Sequence, residues 1–144
     1  MSRNLFFGTM FLLGLSTLAL SSCGKDDDTP AKPTVIITEV GSHDTPEGVI
    51  AAGDDLHLEA EIVAEGKIAE ISVVIHQEEG GNFEINKTYG ADSKYYDLKN
   101  ADFHEHIDIP ADAPLGEYHL HLTVKDHEGQ TATAEAEFEI VAKG

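Results

Sequence analysis

Four of the eight histidines form two His-x-His pairs in one short stretch of the chain, His104/His106 and His119/His121. Both pairs lie in runs where apolar and polar residues alternate, which is typical of β-strands. Residues i and i+2 of a strand point to the same face, about 6.5 Å apart. Two imidazoles at that spacing can bind one ion, because zinc takes nitrogen ligands at about 2.0–2.1 Å. The spacing therefore predicts metal ligands.

Catalytic motifs are absent around these residues and elsewhere in the sequence. The run His104-Glu105-His106 does not match H-E-x-x-H, because position 108 is an aspartate and the run is predicted to be a strand. The chain has no G-x-S-x-G motif and no P-loop, and its single cysteine is Cys23. We therefore expect a binding protein rather than an enzyme.

Residues 1–22 have the features of a secretory signal. Arg3 supplies a short positive region, an apolar run covers residues 5–20, and small residues precede Cys23. The sequence L-S-S-C that ends at Cys23 resembles a bacterial lipobox. That resemblance implies that Cys23 is acylated and becomes the first residue of the mature lipoprotein, anchored to the membrane by its lipid.

Residues 23–33 are predicted to be a lipidated acidic tether and linker. Lys25 followed by the aspartates at 26–28 resembles the surface-export signal of Bacteroidota lipoproteins. The resemblance implies an outer-membrane protein exposed at the cell surface; the alternative is a general acidic tether on a protein that faces the periplasm. A multiply acylated cysteine anchors stably, because each buried methylene contributes about 0.8 kcal/mol.

The composition restricts the partners. The chain has 27 acidic and 9 basic residues and a net charge of −18. This charge argues against nucleic acid and anionic lipid as ligands, and it attracts cations. With its only cysteine assigned to lipid, the chain has no internal disulfide, so its core must stabilise the fold. Residues 34–144 have the length of one domain.

Short alternating segments separated by turn residues predict an all-β fold, a single immunoglobulin-like antiparallel β-sandwich of about seven strands. No segment has a helical period. Residues 41–53 are expected to be a loop, and residues 89–100 have no assignable pattern. The predicted strands cover residues 34–40, 54–64, 67–76, 83–88, 103–109, 117–125 and 130–141.

The segment from Pro114 to Gly129 resembles the sixth strand and following turn of bacterial immunoglobulin-like domains. In such folds a tyrosine near the start of this strand hydrogen-bonds to the preceding corner, and Tyr118 has that position. The chain departs from antibody domains, because it lacks their cysteine pair and tryptophan. The segments LHLEAEI, FHEHIDIP and GEYHLHLTVKD behind a lipobox resemble the domain-of-unknown-function family 4625 of Bacteroidota. This resemblance implies a lipoprotein with an immunoglobulin-like sandwich and assigns no catalytic residue.

The immunoglobulin strand order predicts which histidines meet. The third and sixth strands are antiparallel neighbours in that order, so the end of one lies beside the start of the other. Opposed side chains have Cβ atoms about 4.5–5.5 Å apart. We therefore expect His76, His119 and His121 to form a three-imidazole cluster on the outer face of that sheet, which suits Zn(II) or Cu(II).

The second and fifth strands are predicted to pair in the other sheet. In the expected register, Glu59 and Glu61 lie opposite His106 and His104 respectively, and His57 lies near Asp108. This predicts a mixed nitrogen and oxygen site built from His57, Glu59, His104 and His106. His43 and His127 fall in predicted loops, where we expect ordinary surface residues.

Three interpretations of the phased histidines stay open at this point. The first is a divalent transition-metal site, of zinc or copper, on a surface lipoprotein that captures metal or passes it to an outer-membrane transporter. The second is a set of structural or pH-responsive histidine–carboxylate pairs. The third is chance, with the histidines as ordinary solvated side chains. The alternative function for the whole protein is a non-catalytic interaction module, which binds glycan or protein within a cell-surface complex.

Overall fold

The structure, a computed structural model, describes residues 28–144. The signal peptide, Cys23 and most of the tether lie outside the described residues, so those assignments stay predictions. Within residues 28–144 the chain forms no helix that is long and apolar enough to cross a membrane. The eight strands are β1 (Thr34–Gly41), β2 (Val49–Ala51), β3 (Asp55–Val63), β4 (Ile68–Gln77), β5 (Glu84–Tyr89), β6 (Asn100–Asp108), β7 (Gly116–Asp126) and β8 (Thr131–Val141).

The strands form two sheets, which confirms the predicted all-β sandwich. One sheet has the order β1-β3-β6, and the other has the order β2-β8-β7-β4-β5. Alternate side chains of both sheets meet between them, where Leu56, Leu58, Ile71, Ile75 and Tyr118 have no exposed surface. Burial of each such aliphatic side chain stabilises the fold by about 1.5–3 kcal/mol.

The structure has eight strands where about seven were predicted, because β2 lies inside the expected loop at residues 41–53. This strand pairs in parallel with β8, and Ile50 at its centre is fully buried. Three residues are too few to show an alternating pattern, so no periodicity predicted this strand. β6 begins at Asn100, three residues before its predicted start.

The predicted tyrosine corner is present at the start of β7. The hydroxyl of Tyr118 donates a hydrogen bond to the carbonyl oxygen of Pro114 at 2.7 Å. Burial raises the pKa of the Tyr118 hydroxyl, so it stays protonated as this donor. The contact fixes the turn before β7, the strand that carries His119 and His121.

Glu105 lies on the inward phase of β6, where an unpaired carboxylate would be costly. The hydroxyl of Tyr95 donates a hydrogen bond to Glu105 Oε1 at 2.7 Å, and Lys94 Nζ lies 3.2 Å from the same oxygen. Tyr95 is 3% exposed, and its oxygen also accepts a bond from the His104 backbone N–H at 3.1 Å. The segment between β5 and β6 thus pairs the inward carboxylate and supports the strand at His104.

The two ends of the sandwich contact different terminal segments of the chain. At the end that we call the tether end, the Ala31 backbone N–H donates to Glu65 at 3.1 Å, and Gln130 donates to the Pro30 carbonyl at 2.8 Å. At the opposite end, which we call the far end, Lys143 near the carboxyl terminus pairs with Asp54 at 2.7 Å. Strand β3 runs from the far end to the tether end, over about 25–30 Å for its nine residues.

Candidate metal centres

The two predicted sheet neighbours β3 and β6 do pair, but their predicted register is wrong by two residues. His57 lies opposite His106, and Glu59 lies opposite His104. A shift of two residues keeps every side chain on its face and changes only its partner. The observed register places bulky Phe103 opposite small Ala60 on the core side, which allows close packing. On the outer side it brings imidazole opposite imidazole.

Three imidazole nitrogens converge on this outer face. His57 Nε2 lies 2.8 Å from His104 Nε2, and His104 Nε2 lies 3.4 Å from His106 Nε2. The ring centroids of His57 and His104 are 4.5 Å apart, and those of His57 and His106 are 4.9 Å apart. We call His43, His57, Glu59, His104 and His106 the three-strand cluster. His104 Nε2 is therefore close enough to each neighbouring Nε2 to share an ion with it, since two nitrogens bound at about 2.0–2.1 Å lie at most about 4.2 Å apart.

The other ring nitrogen of each of these imidazoles faces a carboxylate. His57 Nδ1 lies 2.9 Å from Glu39 Oε1, and His104 Nδ1 lies 3.4 Å from Glu59 Oε1. His106 Nδ1 is hydrogen-bonded to Asp55, and this bond lowers the pKa of the Asp55 carboxyl below its ordinary value. Metal-binding histidines in proteins are commonly oriented in this way, with the second nitrogen donating to an oxygen.

A β-bulge in β1 brings Glu39 to this face. The register with β3 shifts between Ile37 and Glu39, so the alternation of side chains reverses there. Without the bulge, Glu39 would share the inward phase of Ile37. With it, Glu39 lies opposite Glu59 and within hydrogen-bonding distance of His57. Sequence reasoning missed Glu39, because a bulge leaves little trace in a single sequence.

His43 is an exposed loop residue, as predicted, but its ring also contacts the cluster, which the prediction did not include. Its ring centroid lies 4.8 Å from that of His57 and 6.1 Å from that of His106. Gly41 pairs directly with His57, so the loop that carries His43 leaves β1 beside the cluster. His57 is only 4% exposed although it lies on an outer face. The sequence has no signal for this, since it depends on the path of a loop.

His57 is the centre of the three-strand cluster. In residues 28–144, three sets of ligand atoms lie within 4.8 Å of one another, and His57 belongs to two of them. One set contains His43 and His106, and the other contains Glu59 and His104. Glu59 Oε1 is 3.3 Å from His57 Nε2, so it can supply an oxygen ligand beside the nitrogens.

The outer face of the five-stranded sheet carries a second group, His76, His119 and His121, which we call the five-strand cluster. The expected pairing of β4 with β7 is confirmed, and His76 lies opposite His119. His76 Nε2 lies 2.9 Å from His121 Nε2. His76 Nδ1 donates to the Gln77 carbonyl at 3.0 Å, and His121 Nδ1 lies 3.1 Å from Glu135.

His119 does not bring its nitrogens to the other two. Its ring stacks on His76 with centroids 5.6 Å apart. Its Nε2 lies 3.7 Å from Glu78, and its Nδ1 lies 3.7 Å from Glu137. The predicted three-imidazole cluster is therefore a convergent pair beside a third ring that faces carboxylates.

His127 lies apart from both clusters. It lies in the turn after β7, at the tether end, and its Nε2 is 3.0 Å from Asp97 Oδ1. The two clusters lie at the far end on opposite faces of the sandwich, because His57 and His119 are near the starts of their strands there.

Comparisons with known proteins identify the fold and the family. Catalytically inactive OgpA from Akkermansia muciniphila, in complex with an O-glycopeptide substrate, aligns with a TM-score of 0.53 and 14% identity over 76% of this chain. A DUF4466 family protein from Parabacteroides merdae aligns with the same TM-score and identity, over 76% of this chain and 45% of its own. At such identities these similarities show the fold alone.

The chain spans about 29% of the length of that OgpA structure. Comparison with curated protein sequences gives no match. The family model described as "Domain of unknown function (DUF4625)" matches residues 21–141. Because that match covers most of the sequence, the chain belongs to the DUF4625 family, as the sequence resemblance implied.

Proposed function

We propose that this protein is a surface-anchored lipoprotein whose three-strand cluster binds one divalent transition-metal ion, zinc or copper. The ligands are Nε2 of His57, His104 and His106, with the Glu59 carboxylate as the oxygen ligand. One observation carries the proposal: three Nε2 atoms converge over 2.8 and 3.4 Å while every Nδ1 faces a carboxylate.

The protonation of the rings explains why this arrangement favours a cation. A neutral imidazole carries one N–H, and here Nδ1 is the nitrogen that faces an acceptor. Each Nε2 then presents a lone pair, and the lone pairs point at one another. Opposed lone pairs repel, and either a second proton on one ring, which makes an N–H···N hydrogen bond, or a metal ion between them relieves that repulsion. Histidine–carboxylate pairing alone accounts for the Nδ1 contacts and gives no reason for the Nε2 atoms to converge.

The surrounding charge supports the same ligand. The three carboxylates that hold the rings, Glu39, Asp55 and Glu59, add negative charge next to the nitrogens. The whole chain has a net charge of −18. Together these charges attract a divalent cation and offset the cost of removing its water shell.

Exposure of the ligands suits capture and transfer better than permanent retention. The His104 and His106 side chains are 52% and 45% exposed, whereas the His57 side chain is 6% exposed. One ligand is therefore fixed in the protein, and the others lie where a partner's ligands can displace them. We propose an outer-membrane transporter or surface complex as that partner, and the lipid on Cys23 would hold the protein at the membrane beside it.

Metal titration of untagged protein tests the proposal. Calorimetry with Zn(II) and Cu(II) should show micromolar or tighter binding, and elemental analysis should find bound metal. The double variant His57→Ala/His104→Ala should lose affinity by at least about 100-fold, since loss of an orienting partner alone costs about 10–100-fold. His127→Ala is the matched control, because it removes an imidazole outside both clusters.

Two results would contradict the proposal. One is zinc binding of unchanged affinity in the double variant, with circular dichroism showing that the fold is intact. The other is a wild-type protein that is purified without metal and ignores both added ions. The second result would favour the interaction module, in which the outer face of the sheet binds a macromolecule.

A further inference from the structure

A separate pair of converging nitrogens lies on the opposite face of the sandwich. The rings of His76 and His121 stack with centroids 5.1 Å apart and planes inclined by 14°. Their Nε2 atoms are 2.9 Å apart, and their Nδ1 atoms face the Gln77 carbonyl and the Glu135 carboxylate. As in the three-strand cluster, each Nδ1 faces an oxygen acceptor, so two Nε2 lone pairs point toward each other.

The number of ligands, rather than their separation, distinguishes the metals here. With metal–nitrogen bonds of about 2.0–2.1 Å, two adjacent ligands of one ion lie about 2.8–3.4 Å apart, from square-planar to tetrahedral geometry. The 2.9 Å between His76 and His121 Nε2 falls in that range, as does the 2.8 Å between His57 and His104 Nε2. Two imidazoles completed by water suit the square-planar geometry that Cu(II) and Ni(II) prefer and that is unusual for zinc.

The third ring of this face does not join His76 and His121 in one site; with Glu78 and Glu137 it forms a separate set of ligand atoms within 4.8 Å of one another. Both nitrogens of His119 face carboxylates, Glu78 and Glu137, each at 3.7 Å. Zinc sites in proteins use at least three protein ligands, and His76 and His121 supply two. Cu(II) held by two adjacent imidazoles can complete its square with water. The His121 side chain is 30% exposed, so water reaches this position.

We propose that His76 and His121 form a second metal site, which binds Cu(II) through two adjacent imidazoles in preference to Zn(II). None of its residues belongs to the three-strand cluster. The two proposals therefore fail or stand separately, and a protein with one functional site is distinguishable from a protein with two.

Separate titrations of untagged protein with Cu(II) and Zn(II) test this site. We expect two equivalents of Cu(II) and one of Zn(II) per chain by calorimetry. The double variant His76→Ala/His121→Ala should bind one equivalent of each, and its Cu(II) electron paramagnetic resonance spectrum should lose the component with two coupled nitrogens. His127→Ala should retain both stoichiometries, and circular dichroism should show that each variant is folded.

Three results would overturn the inference. They are a double variant that still binds two equivalents of Cu(II), a wild-type protein that binds only one, and a second Zn(II) site as tight as the second Cu(II) site. If His57→Ala/His104→Ala loses zinc while His76→Ala/His121→Ala changes no stoichiometry, the three-strand proposal holds and this one fails. If only the His76→Ala/His121→Ala variant loses an equivalent of copper, the reverse is true.

Discussion

The two clusters have the same arrangement of histidines on paired strands, and they differ in the surroundings of one histidine. In each, a single histidine on one strand lies opposite one member of a His-x-His pair, as His57 lies opposite His106 and His76 opposite His119. In each, the short Nε2–Nε2 contact joins the single histidine to the other, diagonal member of the pair. These contacts measure 2.8 Å for His57–His104 and 2.9 Å for His76–His121.

The difference lies in the directly opposed member of each pair. His106 has a carboxylate, Asp55, on its Nδ1 only, so its Nε2 is directed to His104. His119 has a carboxylate near both nitrogens, Glu78 and Glu137, so neither nitrogen is directed to the other rings. Strand register brings imidazoles together in both clusters, and the positions of the carboxylates distinguish the two opposed histidines. His57 keeps a converging Nε2 although Glu59 lies 3.3 Å from it.

Replacing the two opposed histidines gives the largest contrast. His106→Ala removes a direct ligand and should weaken zinc binding by about 100-fold, since even outer partners contribute about 10–100-fold. His119→Ala removes no ligand of the five-strand pair and should change Cu(II) affinity by less than about 3-fold. Calorimetry of both variants measures the contrast; equal losses would show that the nitrogen directions do not matter.

Removing the two carboxylates around His119 should produce a smaller effect of opposite sign. In the variant Glu78→Gln/Glu137→Gln, the His119 ring is free to turn one nitrogen toward His76 and His121. We expect Zn(II) affinity at the five-strand cluster to rise by about 10-fold, because a third imidazole completes the minimum for zinc. Titration in a His57→Ala background isolates this cluster, and an unchanged or weaker affinity would contradict the explanation.

The aromatic side chains that pack beneath β6 predict a loss of stability at high pH. Tyr89 packs edge-on against Tyr95 and Phe103, and burial raises its pKa to about 12. An unfolded tyrosine ionises near pH 10, at about its reference value. Between these pH values the unfolded chain binds fewer protons than the folded chain, so stability should fall as pH rises from about 10 to 12.

Removing the Tyr89 hydroxyl should have the smallest effect of the three changes predicted for these regions. Tyr89→Phe removes the ionisation, so chemical denaturation between pH 10 and 12 should show a shallower loss of stability than in wild type. Tyr96→Phe is the matched control, since Tyr96 is exposed. Parallel losses in wild type and Tyr89→Phe would show that Tyr89 does not cause the alkaline dependence.

The outward phase of the histidines was predictable, because alternation along a strand assigns each side chain to a face. The runs around His57, His76 and the two His-x-His pairs therefore indicated which residues share a face. The shared phase placed His57, His104 and His106 on one side and His76, His119 and His121 on the other. The structure agrees with those assignments.

Partners across the strands were not predictable to the same precision. The register of β3 and β6 depends on core packing such as Phe103 opposite Ala60, and a shift of two residues leaves the pattern unchanged. The role of Glu39 depends on a bulge, and that of His43 depends on a loop. These are tertiary effects, and they decide which ligand atoms converge.

The two ends of the sandwich have a practical consequence. The carboxyl terminus lies at the same end as both histidine clusters, and the amino-terminal segment enters at the other end. A polyhistidine tag after Gly144 would add imidazoles within reach of the measured ligands and distort any count of bound ions. Both clusters lie about one strand's length from the end where Pro30 and Ala31 contact the sandwich.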